Sequence, residues 1–303
     1  MHPLISSKSR SNLERFIQCV TPVAPSRILP KGCVNDLNSQ WLRPRRTGDH
    51  VEYFTLKDLW DCYCEWSAYG AGTELTVNGE TIMQYYVPYL SALQIFSNKS
   101  VAFPRFDIAD MESDSWSDDS LSDKLSQSLS NNSSRAWDSS SDEPVFDHSD
   151  KLGCLYMQYN ETNTPYWRVP LSEKITELAK TYPGLYTLKN VDLSPASWMA
   201  VAWYPIYHIP SRSNEKDLST CFLTYHTLSS SFLEEEEGKA SGDGVGLPPF
   251  GLATYKMHGD IWLDPATSDQ EKLMCMTSAA DSWLKQLGAH HHDFNFFNIH
   301  SFL

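Results

Sequence analysis

Apolar residues recur at helical spacing in four stretches of this 303-residue chain and at strand spacing in most of the others. Leu13, Phe16, Ile17 and Val20 follow an i, i+3, i+4, i+7 pattern, and Ser11 with Glu14 spells a capping box, so a short helix is predicted over 11–20. Thr21-Pro22 ends it, and the prolines of TPVAPSRILPK predict an extended run along the surface. Over 55–69, Leu56, Leu59, Trp60, Tyr63 and Trp66 line one stripe, with Thr55 and Asp58 as a cap and Gly70 as a stop. Leu171, Ile175, Leu178 and Tyr182 predict a third helix, closed by Pro183-Gly184. A fourth is predicted over 268–287, with Ser268 and Glu271 as caps and Leu273, Met276, Ala280, Trp283 and Leu287 inward.

Strand spacing brackets Asn78-Gly79, a pair suited to the positive φ of a type I′ turn, and predicts a hairpin of 74–77 with 81–86. Pro88 interrupts a run that resumes over 89–96, so a bulge or edge position is expected there. Further strands are predicted over 152–159, over 252–257 and 261–263 as a hairpin across His258-Gly259, and over 293–299. The centre of the core is predicted at 193–207, LSPASWMAVAWYPIY, because no Lys, Arg, Asp or Glu falls between Asp192 and Arg212 while Trp198, Trp203, Tyr204 and Tyr207 do. Each large aromatic buried there contributes roughly 2 to 3 kcal/mol by transfer from water. From Met199 on both faces are apolar, and the aromatics together with Pro205 decide for a strand, preceded by a helical turn at Ser194-Pro195. The segment 219–228 is expected as its antiparallel neighbour. Hairpins without a β-helix-β repeat give an α+β class: a single domain over 11–303 with a mainly antiparallel sheet and packed amphipathic helices.

Two stretches depart from this patterning. Between Asp110 and Asp150 there are 14 serines, 11 acidic and 2 basic residues, too little apolar surface to offset the entropy of ordering, so 107–150 is expected to be a disordered acidic insertion. Ser115, Ser120, Ser139 and Ser140 each precede an acidic residue by three positions and are candidate phosphorylation sites. The run EEEEGKASGDGVG over 234–246 is expected to be a flexible acidic loop.

The formal charge of −14 argues against a nucleic-acid surface, which needs a positive field. Subtracting the −9 of 110–150 leaves −5, so the patterned part is close to balanced. Arg43, Arg45 and Arg46 form a dense basic cluster, read as a solvated loop. The 7 cysteines are odd in number, scattered and without a C-x-x-C pair, which predicts reduced thiols in an intracellular protein of the cytoplasm or nucleus. No apolar run is long enough to cross a membrane, and a soluble chain is expected.

Catalytic signatures are missing. There is no G-x-S-x-G elbow, Gly70-Ala71-Gly72 lacks the third glycine of a phosphate-binding turn, and Cys62 and Cys64 fall on nearly opposite sides of their helix. Asp58, Asp61 and Glu65 read as a solvated helix face. His290, His291 and His292 cannot converge on one ion without further ligands and read as a polar loop, so neither a metal nor a cofactor is expected. The residue that draws attention is His226, which in a strand shares a face with Phe222 and Thr224, opposite Cys221, Leu223 and Tyr225. Arg168, Asp192, Ser194 and Tyr204 are the polar residues that could join it in a pocket.

The strings NLERF (12–16), DLW (58–60), EWSAYGAG (65–72), QYYVPYLSA (84–92), DLSPASW (192–198), AWYPIY (202–207), FLTYHTL (222–228), FGLA (250–253) and DFNFF (293–297) resemble the plant family labelled domain of unknown function 789. The resemblance spans nearly all of the chain outside the acidic insertion, and His208 stands where the family more often has Arg. It carries no activity with it. Two readings follow: a non-catalytic binding or scaffold domain with protein partners and a phosphorylatable acidic arm, or an enzyme or small-molecule sensor with an aromatic-lined pocket around His226. An enclosed cavity with converging polar groups would favour the second, and a filled core with exposed apolar surface the first.

Overall fold

The computed structural model describes residues 10–30, 50–97, 153–210, 218–229 and 244–299. The acidic insertion with its four candidate serines, the arginine cluster and most of the 234–246 loop lie outside these residues.

The longest apolar runs make the middle of an antiparallel sheet. Strand β5 (Glu80–Ser97) pairs with β7 (Trp198–Ile209), and β7 pairs in turn with β8 (Cys221–Thr227) in the register Trp203↔Phe222 to Trp198↔Thr227. With β10 (Gly251–Tyr255) beyond β8 and β4 (Ala71–Val77) on the far side of β5, the order is β10-β8-β7-β5-β4. Strand β6 (Cys154–Asn160) also pairs with β5, further along it than β4 does. The predicted core segment is therefore the central strand. The β4–β5 turn has Asn78 at φ 53° and Gly79 at φ 80°, the positive values that its Asn-Gly pair predicted. Pro88 lies between the β4 and β6 ladders, and the β5–β7 register shifts on either side of it, at Tyr85/Tyr86 and at Leu90/Ala92. Two-stranded pairs join β1 (Val23–Ala24) to β9 (Val245–Gly246), the end of the glycine-rich stretch, and β2 (Arg27–Pro30) to β3 (His50–Tyr53).

Helices cover both faces of this sheet, whose antiparallel pairing throughout makes the class α+β. On the first face sit α1 (Asn12–Cys19) and α2 (Leu56–Tyr69), each begun as the sequence spelled it: Ser11 accepts from the Glu14 N–H, and Thr55 with Asp58 completes a capping box. Asp58 also takes a bidentate pair from Arg27 at 2.7 and 3.0 Å, and Asp61 is paired with Lys57, so these carboxylates are bound to neighbouring cations. Phe16 stacks on Phe222 at 3.9 Å between centroids, with Tyr86, Trp203 and Trp262 edge-on around it. Asn12 pins α1 in place, donating to the Thr76 and Ile261 carbonyls at 2.8 and 2.7 Å and accepting from the Thr76 N–H.

The second face carries Trp198, Ala200, Ala202, Leu223, Tyr225 and Ala253 against Ala280 and Leu284 of α6 (Asp269–Gln286) and Phe294 and Phe297 of α7 (His292–Ile299). Small residues permit close approach here: a Cβ on Gly251 would come within 2.9 Å of the Ala280 Cβ. Helix α3 (Leu171–Thr181) and the single turn α4 (Gly184–Thr187) pack beside α2, where the Trp60 indole donates to the Leu185 carbonyl at 2.7 Å.

Two local expectations are corrected. The stretch 293–299 is helical, because Phe294 and Phe297, three apart, both face the sheet while Asp293 is held in the first turn. The predicted hairpin across His258-Gly259 does not form: β10 pairs with β8, and α5 (Gly259–Trp262) turns the fully buried Trp262 into the first-face core. At Ser194-Pro195 a single hydrogen-bonded turn precedes β7, with the Ser197 N–H donating to the Ser194 carbonyl at 2.9 Å.

Candidate functional site

Alternation along β7 and β8 divides the polar residues of the core between the two faces. His226 falls on the first face, fully buried with Thr224 and Trp203. Its Nδ1 lies 2.9 Å from the Leu247 carbonyl, which can only accept, so Nδ1 carries the proton. Nε2 then accepts from the Thr224 hydroxyl at 2.9 Å, and Thr224 receives the Trp203 indole N–H at 3.0 Å. Every hydrogen-bonding position of the ring is used. Burial pushes its pKa down to about 4, so the ring stays neutral well below neutral pH.

A larger network lies on the second face. Arg168, at the end of the loop after β6, makes a bidentate pair with Asp293 in the first turn of α7, at 2.6 and 2.8 Å, with both side chains almost fully buried. The Arg168 Nε donates to the Asn163 carbonyl at 2.9 Å. Ser91 of β5 donates to the same carboxylate and lies 2.9 Å from His291 Nε2, while the Tyr225 hydroxyl is 2.6 Å from His291 Nδ1. The directions are fixed by the ionised pair. Its carboxylate only accepts, so the single Ser91 proton goes to Asp293, His291 Nε2–H donates to the Ser91 oxygen, and Tyr225 donates to Nδ1. Desolvation pulls His291 down to about 4. Asp293 is held below the ordinary carboxylate range: desolvation works to raise it and is outweighed by the Arg168 and Ser91 hydrogen bonds and the guanidinium charge.

This chain of donors runs Tyr225 to His291 to Ser91 to Asp293, with Arg168 closing it. Ser91 is fully buried, and the carboxylate that accepts its hydrogen bond is made a weak base by the Arg168 guanidinium, so little in the arrangement activates it as a nucleophile. The arrangement ties β5, β8 and α7 together.

The five sequence-level pocket candidates thus separate. Arg168 and Tyr204 meet, with the guanidinium 5.9 Å from the ring centroid and 3.4 Å from the hydroxyl. His226 is on the opposite face of the sheet. Asp192 and Ser194 lie in the connection before β7, Ser194 accepting from the Ala196 N–H at 3.3 Å. Ser91, Tyr225, His291 and Asp293 are the partners that the sequence reading missed. The one available signal was the pairing of a polar HHHD run with an aromatic DFNFF segment. The three adjacent imidazoles diverge: His291 is buried, whereas the His292 side chain is 58% exposed and His290 lies 3.5 Å from the exposed Asn295 amide.

Outside the core, two open clefts are formed among the described residues. One, of about 510 Å³, is lined by Gln94, Gln158, Asn160 and Thr162 on one side and the α6–α7 loop with His290 and His292 on the other. The second, of about 470 Å³, runs between α1 and β4 past Arg10, Arg15 and Glu74. Neither is lined by His226. Among the described residues the most exposed aromatic side chains are Tyr166 and Trp167, at 96% and 81%. They project from a 3₁₀ turn, Pro165–Trp167, in which the Trp167 N–H donates to the Thr164 carbonyl at 3.0 Å. Immediately after them the chain is clamped by Arg168. The loop before them is also fixed, since the buried Glu161 accepts from the Thr162 and Asn163 N–H groups and the Tyr159 hydroxyl. Among the described residues no helix is long and apolar enough to cross a membrane.

Residues 11–297 match the family described as protein of unknown function (DUF789). No curated protein and no solved structure matches the chain.

Proposed function

The chain belongs to the DUF789 family, and since that membership assigns no activity, we propose from its geometry that it is a non-catalytic binding domain which docks a protein partner on Tyr166 and Trp167. The observation that carries this reading is the contrast between interior and surface. Inside, His226 and His291 have both ring nitrogens engaged in hydrogen bonds, and Asp293 is paired. Outside, two large aromatics stand almost wholly in water on a turn braced from both sides. Tyr and Trp are the side chains that most often anchor protein interfaces, and a braced turn presents them with little ordering entropy left to lose.

The odd, scattered cysteines support an intracellular location, in the cytoplasm or nucleus. The acidic segment 107–150 is assigned the role of a phosphorylatable arm, and phosphopeptide mapping that finds Ser115, Ser120, Ser139 and Ser140 unmodified would remove it. The docking claim is tested by capture from cell extract with the wild-type chain and with Tyr166→Ala/Trp167→Ala. A protein retained by the first and lost with the second, at unchanged thermal stability, supports the reading; identical captures contradict it.

A further inference from the structure

We propose that Thr164 is a phosphorylation site read by a proline-directed serine/threonine kinase, and that its phosphate releases a partner docked on Tyr166 and Trp167. A kinase of this class needs a free hydroxyl and the proline that follows it, both in the open. The chain has three dipeptides of this kind, Thr21-Pro22, Thr164-Pro165 and Ser194-Pro195. The fold withdraws two of them. The Thr21 hydroxyl donates to the Ile17 carbonyl at 2.7 Å, and Pro22 is buried. Ser194 is buried, with its side-chain oxygen accepting from the Ala196 N–H. Thr164 and Pro165 are both exposed, and the Thr164 side chain makes no hydrogen bond to the 3₁₀ turn it precedes. Its backbone is extended, at φ −64° and ψ 155°, the region to which a residue before proline is confined.

In the transfer, Thr164 Oγ1 attacks the γ-phosphorus of a nucleoside triphosphate. The Oγ1–P bond forms, the bond to the β,γ-bridging oxygen breaks and leaves with the nucleoside diphosphate, and the hydroxyl proton passes to the kinase's catalytic carboxylate. The product carries a charge of about −1.5 to −2 close to Tyr166 and Trp167 in the chain. That turn holds no cation to neutralise it. Between 161 and 170 the charged side chains are Glu161 and Arg168, both buried. Arg168 is taken by Asp293, and Glu161 by the Thr162 and Asn163 N–H groups. The exposed surface around the two aromatics is therefore uncharged. A partner closing over them would have to desolvate the phosphate without a counter-ion from this loop, and phosphate placed in an apolar interface disrupts it.

The release rests on the reading of Tyr166 and Trp167 as a docking site; the modification itself rests on Thr164 alone. The full chain, Thr164→Val and Pro165→Ala are incubated with ATP and a panel of purified proline-directed kinases, and the phosphopeptides are mapped by mass spectrometry. Phosphate should enter the folded wild-type chain at Thr164, and Pro165→Ala should lower its incorporation at least about tenfold. Thr21 and Ser194 should stay unmodified until the chain is denatured. Phosphorylated and unmodified chains of matched thermal stability are then compared in capture from cell extract. Phosphate should lower retention of the partner about tenfold, and Thr164→Val should retain it with or without kinase. An unmodified Thr164, or equal labelling of Thr21 and Ser194 in the folded chain, would overturn the site. A partner lost with Tyr166→Ala/Trp167→Ala but held equally before and after phosphorylation would overturn the release. Phosphate on Thr164 together with captures indifferent to Tyr166→Ala/Trp167→Ala would sink the docking reading, and the release with it, while the modified site stands.

Discussion

The buried pair Arg168–Asp293 ties α7 to the loop that follows β6, and neutralising one side of it should be far more damaging than neutralising both. Its side chains are 3% and 4% exposed and joined by two hydrogen bonds of 2.6 and 2.8 Å. Asp293→Asn would leave a guanidinium in the core without its counter-ion. Arg168→Met would leave a carboxylate there with only Ser91 and uncharged neighbours. Breaking a buried pair from one side costs about 3 to 5 kcal/mol, most of it the desolvation of the stranded charge. In the double variant no charge remains and the introduced amide oxygen still accepts from Ser91, so the loss should fall well short of the sum, with a coupling of about 2 to 3 kcal/mol. Equilibrium urea unfolding of the four proteins measures this. In thermal scans each single variant should melt roughly 10 °C lower, at about 2 to 4 °C per kcal/mol for a domain of this size. Single losses below about 1 kcal/mol, or strictly additive ones, would show that the pair is not the anchor of α7.

Acid should destabilise the chain earlier than carboxylate titration alone would. The folded pKa of both His226 and His291 is pushed down to about 4, below the unfolded value near 6.5, so between these limits the unfolded chain binds more protons. Stability is complete above about pH 6.5 and falls as pH drops toward about 4, at about 1.4 kcal/mol per pH unit for each histidine. Asp293 acts lower: its folded pKa is depressed, so its contribution holds above the unfolded carboxylate pKa and disappears as pH falls through the folded one. Unfolding free energies across this range test the sign, and a flat profile from neutrality to about pH 5 would refute it. Trp203→Ala should destabilise by about 3 to 5 kcal/mol, since the fully buried indole contacts Phe16, Tyr63 and Trp66. Trp203→Phe should lose less, about 1 to 2 kcal/mol for the hydrogen bond to Thr224 and the smaller ring, and an alanine variant of wild-type stability would remove β7 from the centre of the core.

Much of the fold was legible because local signals and tertiary packing agree. Ser11, Thr55 and Asn78-Gly79 dictate caps and a turn by short-range chemistry, and the uncharged run through Trp198 and Trp203 had nowhere to go but the centre of the sheet. The segment 293–299 was misread because the short DFNF alternation imitates a strand, while its helical state depends on Asp293 reaching Arg168, 125 residues away. Strand β10 was legible but its partner was misread for the same reason: it pairs with β8, earlier in the chain, not with the residues that follow it. The face occupied by His226 was legible from period-two alternation. Its partners were not, because Leu247 comes from a distant connection. Ser91 and Tyr225 were hidden within apolar runs, where a polar atom announces itself only through the group it bonds.

The most direct test of the account is a side-by-side capture from cell extract using the wild-type chain, Tyr166→Ala/Trp167→Ala, and His226→Gln, each checked for folding by thermal melting. The account expects a partner that is lost only with the aromatic pair removed and is retained by any folded His226 variant. Capture that survives loss of Tyr166 and Trp167, but is abolished by a folded His226→Gln chain, would contradict it and return the function to the interior.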